Sequence, residues 1–530
     1  MKHLSKLQIT NQNILKIFGP PGTGKTKTLL DIVERELQEN CTPEDIAFLT
    51  FTRKARIEAV TRASKLLKVD AKKFEYFKTL HSIAWKVGGF QPKHKMTPKH
   101  WFMFSEVMQN HNVAGDVEIK IDKTLEEQGR DIASNEYISM INKARQKMQD
   151  ISTYLKTNRS IDGGYLMLQQ VADLLKKHKE KHDIYDYTDS IEKIVYEEID
   201  VPQLKVVIID EAQDLTLLQW ALVIKFINSA ERVYIAGDDD QEIYDWAGAE
   251  ALFFKNLLGK SKVLDKSYRV PKNIAEKSKK LIERIPSHLR EQKEWDAVYD
   301  GGKIIYLDNE KFINYNLPGT YYFLATCGYM LYDVTKELRK RGLFYKTGRH
   351  LSIKEEVIYA INTWKKLQEG EQVYADSIKN LFELMKTRNK NNPNGSLKVG
   401  AKTFKKLEMD KKYNYNQARE LGLLAEAELK WHEAIDKLEN HDLVYIEKVL
   451  DNKINVNKEP DIIVNTIYGV KGGEADNVIL FSNISPAAQD SLRENINELR
   501  KVFYTGMTRS KQNLYIVRKE KGYVFKELYA

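Results

Sequence analysis

Ile14-Leu15-Lys16-Ile17-Phe18-Gly19-Pro20-Pro21-Gly22-Thr23-Gly24-Lys25-Thr26 joins a short apolar run to a glycine-rich turn, and the helical pattern from Lys27 to Gln38 follows at once. Gly19 to Thr26 reads G-x-x-x-x-G-K-T, in the setting of strand, loop and helix that a phosphate-binding loop requires. Its glycines let backbone N–H groups converge on phosphate oxygens, and the helix N-terminus adds its positive end. On this reading Gly19, Pro20, Pro21, Gly22, Thr23 and Gly24 form the cradle of a triphosphate site. Lys25 reaches the β- and γ-phosphates and the Thr26 hydroxyl ligates Mg²⁺. A chance glycine-rich turn is the bland alternative, and it leaves the flanking strand and helix unexplained.

A second apolar run, Lys205-Val206-Val207-Ile208-Ile209, has the near-continuous hydrophobicity of a central parallel strand. It ends in Asp210-Glu211-Ala212-Gln213-Asp214. An acid at such a strand end can hold the Mg²⁺ water shell, and the next acid can take a proton from attacking water. Asp210 is therefore assigned to the metal and Glu211 to the general base. An acidic pair at a strand end is more often a solvated turn, but a phosphate loop in the same chain reverses that expectation. Together the two segments imply hydrolysis as well as binding.

The chain has 530 residues, too many for one hydrophobic core, so several domains are expected. Hydrophobic residues at 42% and charged residues at 30% supply ample core and an ordinary polar surface. The formal charge of +9 agrees with a polyanionic partner without requiring one. Cys41 and Cys327 match no metal or disulfide pattern and fit a reducing compartment. Neither a signal peptide nor a membrane-length apolar stretch is evident, so a cytoplasmic protein with no membrane partner is expected, in a bacterial or virus-infected cell.

Further segments narrow the choice among triphosphatases. Leu49-Thr50-Phe51-Thr52-Arg53-Lys54-Ala55 follows a strand, and Thr79-Leu80-His81-Ser82 comes after it in the chain. Asp186-Tyr187-Thr188-Asp189 precedes the Asp210 strand. Gly237-Asp238-Asp239-Asp240-Gln241-Glu242-Ile243-Tyr244-Asp245-Trp246-Ala247-Gly248-Ala249 comes after it, then Leu264-Asp265-Lys266-Ser267-Tyr268-Arg269. Thr466-Ile467-Tyr468-Gly469-Val470-Lys471-Gly472-Gly473-Glu474 and Phe503-Tyr504-Thr505-Gly506-Met507-Thr508-Arg509 close the series. In composition and order these segments resemble the motifs of superfamily-1 DNA helicases of the UvrD/Rep/PcrA type, over residues 19 to 509.

That resemblance implies an α/β protein with two RecA-like P-loop core domains, each a parallel sheet interrupted by a mainly helical insertion. The expected boundaries are 1–85 and 186–265 for the first core with 86–185 as its insertion, and 266–368 and 460–530 for the second with 369–459 as its insertion. The resemblance places Gln241, Arg269 and Arg509 around the γ-phosphate, with both arginines supplied by the second core. Guanidinium groups suit that task because they stay charged and fork onto phosphoryl oxygens. Tyr268 would stack on adenine and Glu474 would bond the ribose. For the nucleic-acid track the candidates are Phe51, Tyr244 and Trp246 as base-stacking residues, with Thr52, His81 and Thr466 near the backbone. Stacking suits a motor because every base has a π-face. Phe51 reads equally as core, and His81 as a structural hydrogen-bonding residue.

The implied activity is that of an ATP-dependent DNA helicase using ATP and Mg²⁺ and moving 3′→5′ on single-stranded DNA. Its partners would be single strands, single/double-strand junctions, and proteins of replication, repair or recombination. A single-strand translocase or motor subunit that strips bound proteins with little unwinding is the alternative, and a slow nucleotide-dependent switch is a third reading. Lys398-Val399-Gly400-Ala401-Lys402-Thr403 reads as a helix start or a phosphate-binding turn. The tail from Leu514 to Phe525 reads as a hairpin, either a duplex wedge or a plain sheet edge. The family's adenine-reading L-N-x-x-Q segment has no clear counterpart before Ile14. Ala247 and Tyr329 stand where arginine is common, and Tyr468 where histidine is usual.

Overall fold

A computed structural model describes residues 7–39, 41–50, 53–111, 113, 120–121, 133–157, 164–315, 318–348 and 350–530. The chain divides into two compact units, the first made of residues 1–302 and 493–509 and the second of residues 303–492 and 510–530.

The first unit is built on β1 (Ile14–Phe18), β2 (Ile46–Thr50), β3 (Phe77–Thr79), β4 (Leu204–Ile209), β5 (Ala230–Gly237) and β6 (Lys260–Val263). They pair in the order β3-β2-β4-β5-β1-β6, and every pairing is parallel. Parallel sheets need cover on both faces, and the sequence supplies it by alternation along each strand. Val207 and Ile209 enter one core with Phe18, Leu49 and Trp220, while Val206 and Ile208 enter the other with Ile17, Phe48 and Leu29. The helix Lys25–Glu39 presents Leu29, Leu30, Ile32, Val33 and Glu36 inward, at helical spacing. Glu36 is buried because it accepts from Arg232 Nε at 3.1 Å and from the Tyr234 hydroxyl at 2.7 Å.

Between β3 and β4 lie the helices Pro98–Asn110, Glu136–Gln146, Ile151–Thr157, Gly164–His182 and Tyr187–Tyr196. The first four enclose a core of their own, around Trp101, Phe104, Ile138 and Val171. The Asp186-x-x-Asp189 segment caps the helix Tyr187–Tyr196, with Asp186 accepting from Asp189 N at 2.8 Å. Arg145 crosses to Asp186 at 2.9 Å and to Glu192 at 2.7 Å, while Lys179 reaches Asp189 at 2.8 Å. This buried ion network ties the insertion's helices to the helix that leads back into the sheet.

The second unit carries β7 (Lys303–Leu307), β8 (Tyr321–Ala325), β9 (Tyr345–Thr347), β10 (His350–Leu351), β11 (Ile462–Thr466), β12 (Ala475–Phe481) and β13 (Ser510–Val517). Their order is β7-β13-β12-β8-β11-β9-β10, parallel except for the terminal β9–β10 hairpin. Here the intervening segment shares the sheet's core: Phe323 and Ile479 belong to one cluster with Trp364, Leu381, Leu397 and Ala434. Trp364 is fully buried and donates its indole N–H to Leu429 O at 3.1 Å. Both units are thus parallel α/β sheets, the fold class expected.

Three local expectations fail. The tail forms no hairpin: β13 is flanked by β7 and β12, so it has no open edge, and Tyr523–Val524 pairs instead with Asn483–Ile484. Lys398–Thr403 starts no helix, only the single 3₁₀ turn Ala401–Thr403, which Phe404 ends at φ 53°. Residues 266–302 pack with the first unit, beyond the boundary drawn at 265. Leu264 N donates to Phe18 O at 2.8 Å and Tyr268 N to Gly22 O at 2.9 Å, so the chain stays on the phosphate loop after β6 ends.

Candidate nucleotide and nucleic-acid site

β4, β5 and β1 are neighbours in the first sheet, so their C-terminal ends bring Asp210, Asp238 and the glycine-rich loop side by side. Gly19 N donates to Gly237 O at 3.0 Å, which joins the loop to the end of β5. Gly22 has φ +75°, and a Cβ there would lie 2.4 Å from Arg269 Cβ; only glycine permits this close approach. The Ser267 hydroxyl donates to Pro21 O at 2.7 Å, adding a second fastening of the loop to residues 267–269.

Lys25 opens the helix Lys25–Glu39 and donates from Nζ to Gly19 O at 2.7 Å, folded across the loop it serves. Thr26 Oγ1 donates to Asp210 Oδ2 at 3.0 Å. A hydroxyl and a carboxylate oxygen at contact distance, next to a phosphate loop, suit a Mg²⁺ that completes its shell with water and phosphate oxygens. Burial, and then the Glu211 charge, push the Asp210 carboxyl up to about 7, against the lowering effect of Lys25. Glu211 adopts φ 56°, ψ 42°, an uncommon conformation for a residue with a side chain. Among the described residues no cluster of three or more His, Cys, Asp or Glu could hold a metal by itself.

A chain of hydrogen bonds runs on from Glu211. Gln213 Nε2 donates to Glu211 Oε2 at 2.7 Å, and Gln213 Oε1 accepts from Asp238 N at 2.9 Å. Gln241 Nε2 donates to Asp238 Oδ2 at 2.6 Å, and Gln241 Oε1 accepts from the Arg509 guanidinium. Arg509 is 1% exposed and also donates from Nε to Thr505 O at 3.0 Å. Burial works against the Asp238 carboxylate, but Lys293 and Lys25 outweigh it and hold its pKa below the usual range. Arg269 and Arg509, expected from the second core, both belong to the first compact unit. The reason is local: Arg269 follows the Ser267 anchor, and Arg509 ends the segment 493–509 that packs there.

The nucleic-acid candidates separate. Trp246 is 49% exposed, whereas Tyr244 is 5% exposed and meets Trp246 edge-on at 6.4 Å. Tyr244 thus supports the tryptophan and offers no open stacking face itself. His81 is buried, with its ring edge-on to Tyr187 at 5.5 Å, which is the structural alternative weighed for it. Phe51 and Thr52 lie outside the described residues. Tyr268 is 61% exposed beside the phosphate loop. Thr466 ends β11 in the second unit and accepts from Gly469 N at 3.3 Å; Glu474 follows the 3₁₀ turn Tyr468–Val470 in that unit. Gln213 lies within the Asp210–Asp214 segment, whereas Lys293 and Arg290 belong to no recognisable sequence pattern and only the fold reveals them.

The UvrD/REP helicase N-terminal domain family matches residues 3–262, and the UvrD-like helicase C-terminal domain family matches residues 334–521. The chain belongs to the UvrD/Rep helicase family. It is 25% identical over 286 residues to a probable DNA helicase II homolog of Rickettsia conorii, covering 50% of this chain and 42% of that protein. It is 24% identical over 323 residues to the ATP-dependent DNA helicase PcrA of Staphylococcus epidermidis, covering 56% of this chain and 42% of that one. The ATP-dependent DNA helicase Rep of Buchnera aphidicola is 23% identical over 251 residues, covering 46% and 36%. The matches therefore span well under half the length of these curated relatives. No helix among the described residues of this UvrD/Rep family member is long and apolar enough to cross a membrane.

Proposed function

We propose that this protein is an ATP-dependent DNA helicase that moves 3′→5′ along single-stranded DNA, using ATP and Mg²⁺. The observation that carries the reading is the continuous bonded path from the phosphate loop to a buried arginine, through Asp210, Glu211, Gln213, Asp238 and Gln241. In this reading Gly19 to Gly24 cradle the phosphates and Lys25 counters their charge. Thr26 and Asp210 hold Mg²⁺, which would screen the phosphate charge. Glu211 accepts the proton of attacking water, and its left-handed backbone supports that role, because strain of this kind collects at functional sites. Gln241, Arg269 and Arg509 respond to the γ-phosphate, and Tyr268 and Glu474 hold the base and ribose.

Trp246 provides the stacking surface that bears on a base, backed by Tyr244, with Thr466 near the strand's backbone. Phe51 and Thr52 remain with the same track on the strength of the family motifs. We assign 86–185 and 369–459 as the two insertions of the two cores. The bacterial relatives and the DNA substrate support a place in replication, repair or recombination within a bacterial cytoplasm.

The test is ATP turnover with and without single-stranded DNA, followed by strand displacement from duplexes with 3′ or 5′ tails. Stimulated turnover and displacement from the 3′-tailed duplex alone is the expected result. Stimulation without displacement would select the stripping translocase instead. An ATP turnover rate indifferent to DNA would overturn the motor reading.

A further inference from the structure

Beyond the family motifs, the segment 290–293 places two cations deep against the turn Asp238–Gln241. Lys293 is enclosed by the three successive carboxylates: Nζ lies 3.0 Å from Asp238 Oδ1 and 2.9 Å from Asp240 Oδ2, and it also pairs with Asp239. Its side chain is 0% exposed. Arg290 binds Asp240 through Nε and Nη2, each at 2.7 Å, and Glu291 N donates to Asp239 Oδ2 at 2.6 Å. Without a counter-charge these acids repel one another in a medium that screens poorly, and the turn opens.

The turn matters because of what Asp238 does next. One of its oxygens meets Lys293 and the other accepts from Gln241 Nε2. That contact turns the Gln241 amide so that its oxygen faces the Arg509 guanidinium. The opposite amide orientation would set an NH₂ against a cation and an oxygen against a carboxylate. Lys293 thus reaches the γ-phosphate residues through two bonds, Lys293 to Asp238 and Asp238 to Gln241.

We propose that Lys293 is a positioning residue for ATP hydrolysis, which locks Asp238 and so orients Gln241 and Arg509 toward the γ-phosphate. This rests on the nucleotide roles proposed above for Gln241 and Arg509. It differs from a plain structural ion pair in one respect: its loss should be felt specifically where a γ-phosphate is present.

The experiment uses the full chain and two readouts: steady-state ATP turnover, and the ratio of affinities for ATPγS and ADP by displacement of a fluorescent nucleotide. Lys293→Met should lower kcat by about 100-fold, in line with loss of a preorganised polar contact, with little change in ADP affinity. It should also shift the affinity ratio against ATPγS by about tenfold, to the same degree as Gln241→Ala. Combining the two substitutions should add nothing further, because both break one path. Lys293→Arg, which keeps the charge, should recover much of the turnover. Lys293→Met/Asp239→Asn preserves the charge balance and should show the same γ-phosphate-specific loss if Lys293→Met alone does not fold. Wild-type turnover and an unchanged ratio in either folded variant, or additive losses with Gln241→Ala, would overturn the proposal. A wild-type protein that hydrolyses ATP without responding to DNA would sink the motor reading alone, since the affinity ratio is measured without DNA.

Discussion

The two parallel sheets end their strands in different chemistry. At the C-terminal ends of β4, β5 and β1 the first unit buries Asp210, Asp214, Asp238, Asp239 and Asp240 against Thr26, Lys25, Lys293 and Arg290. At the corresponding ends of β8 and β12 the second unit buries neutral groups. Thr326 Oγ1 donates to Asn483 O at 3.2 Å, Ser482 Oγ to Val517 O at 3.1 Å, and Asn483 Oδ1 accepts from Lys519 N at 2.8 Å. One architecture therefore carries an ionic site in one unit and an ordinary bonded rim in the other. Burying several charges is costly unless each is paired, and in the first unit the fold supplies Lys293 and Arg290 as partners.

The sharpest break of that contrast is Lys25→Ala, which should lower ATP turnover by roughly 1000-fold or more if the ionic rim is the hydrolytic one, while Thr326→Val changes it little. Retained turnover in the first variant would move the phosphate site elsewhere. Arg509→Ala comes next: nucleotide binding should persist while kcat falls by about 1000-fold, the scale on which an arginine serves phosphoryl transfer. Trp246→Ala tests the exposed edge of the first unit. Loss of one stacking partner, worth about 1–3 kcal/mol, should weaken single-strand binding by roughly 5- to 150-fold in a fluorescence titration, and unchanged affinity would remove this tryptophan from the track.

The smallest effect concerns Glu498, whose carboxyl is pushed up to about 7 by burial and then by the neighbouring Asp245 charge. Folded protein then holds this proton more tightly than unfolded chain does, so its contribution to stability falls as pH rises from the ordinary carboxylate range through about 7. Glu498→Gln should accordingly leave the melting temperature unchanged near pH 5 and raise it at pH 8, by roughly 1 kcal/mol of stability after screening by solvent. An equal gain at both pH values would mean that the effect is not one of ionisation.

The insertions show where sequence periodicity stops being informative. Both are expected as mainly helical insertions, yet the first segment closes its own core around Trp101 and Phe104, whereas the second feeds Leu381, Leu397 and Ala434 into the core of the sheet. An apolar stripe says that a face will be buried and is silent about which partner buries it. The aromatic candidates teach the same lesson. Tyr244 and Trp246 stand two residues apart in one motif, but only the tryptophan presents its ring to solvent. The tail misled because alternating apolar residues after Leu514 fit a hairpin, while β13 was already paired on both sides.

Local order was enough to determine the glycine-rich turn between strand and helix, the acid-ended strand, the doubly covered parallel sheet and the family, because those depend on residue types at fixed short spacings. Tertiary structure alone decided that Lys293 and Arg290 neutralise the Asp238–Asp240 turn, that Arg269 abuts Gly22, and that Gln241 faces Arg509. These contacts join segments far apart in the chain. A buried charge takes whichever counter-ion the fold delivers to it, and no spacing in the sequence encodes that delivery.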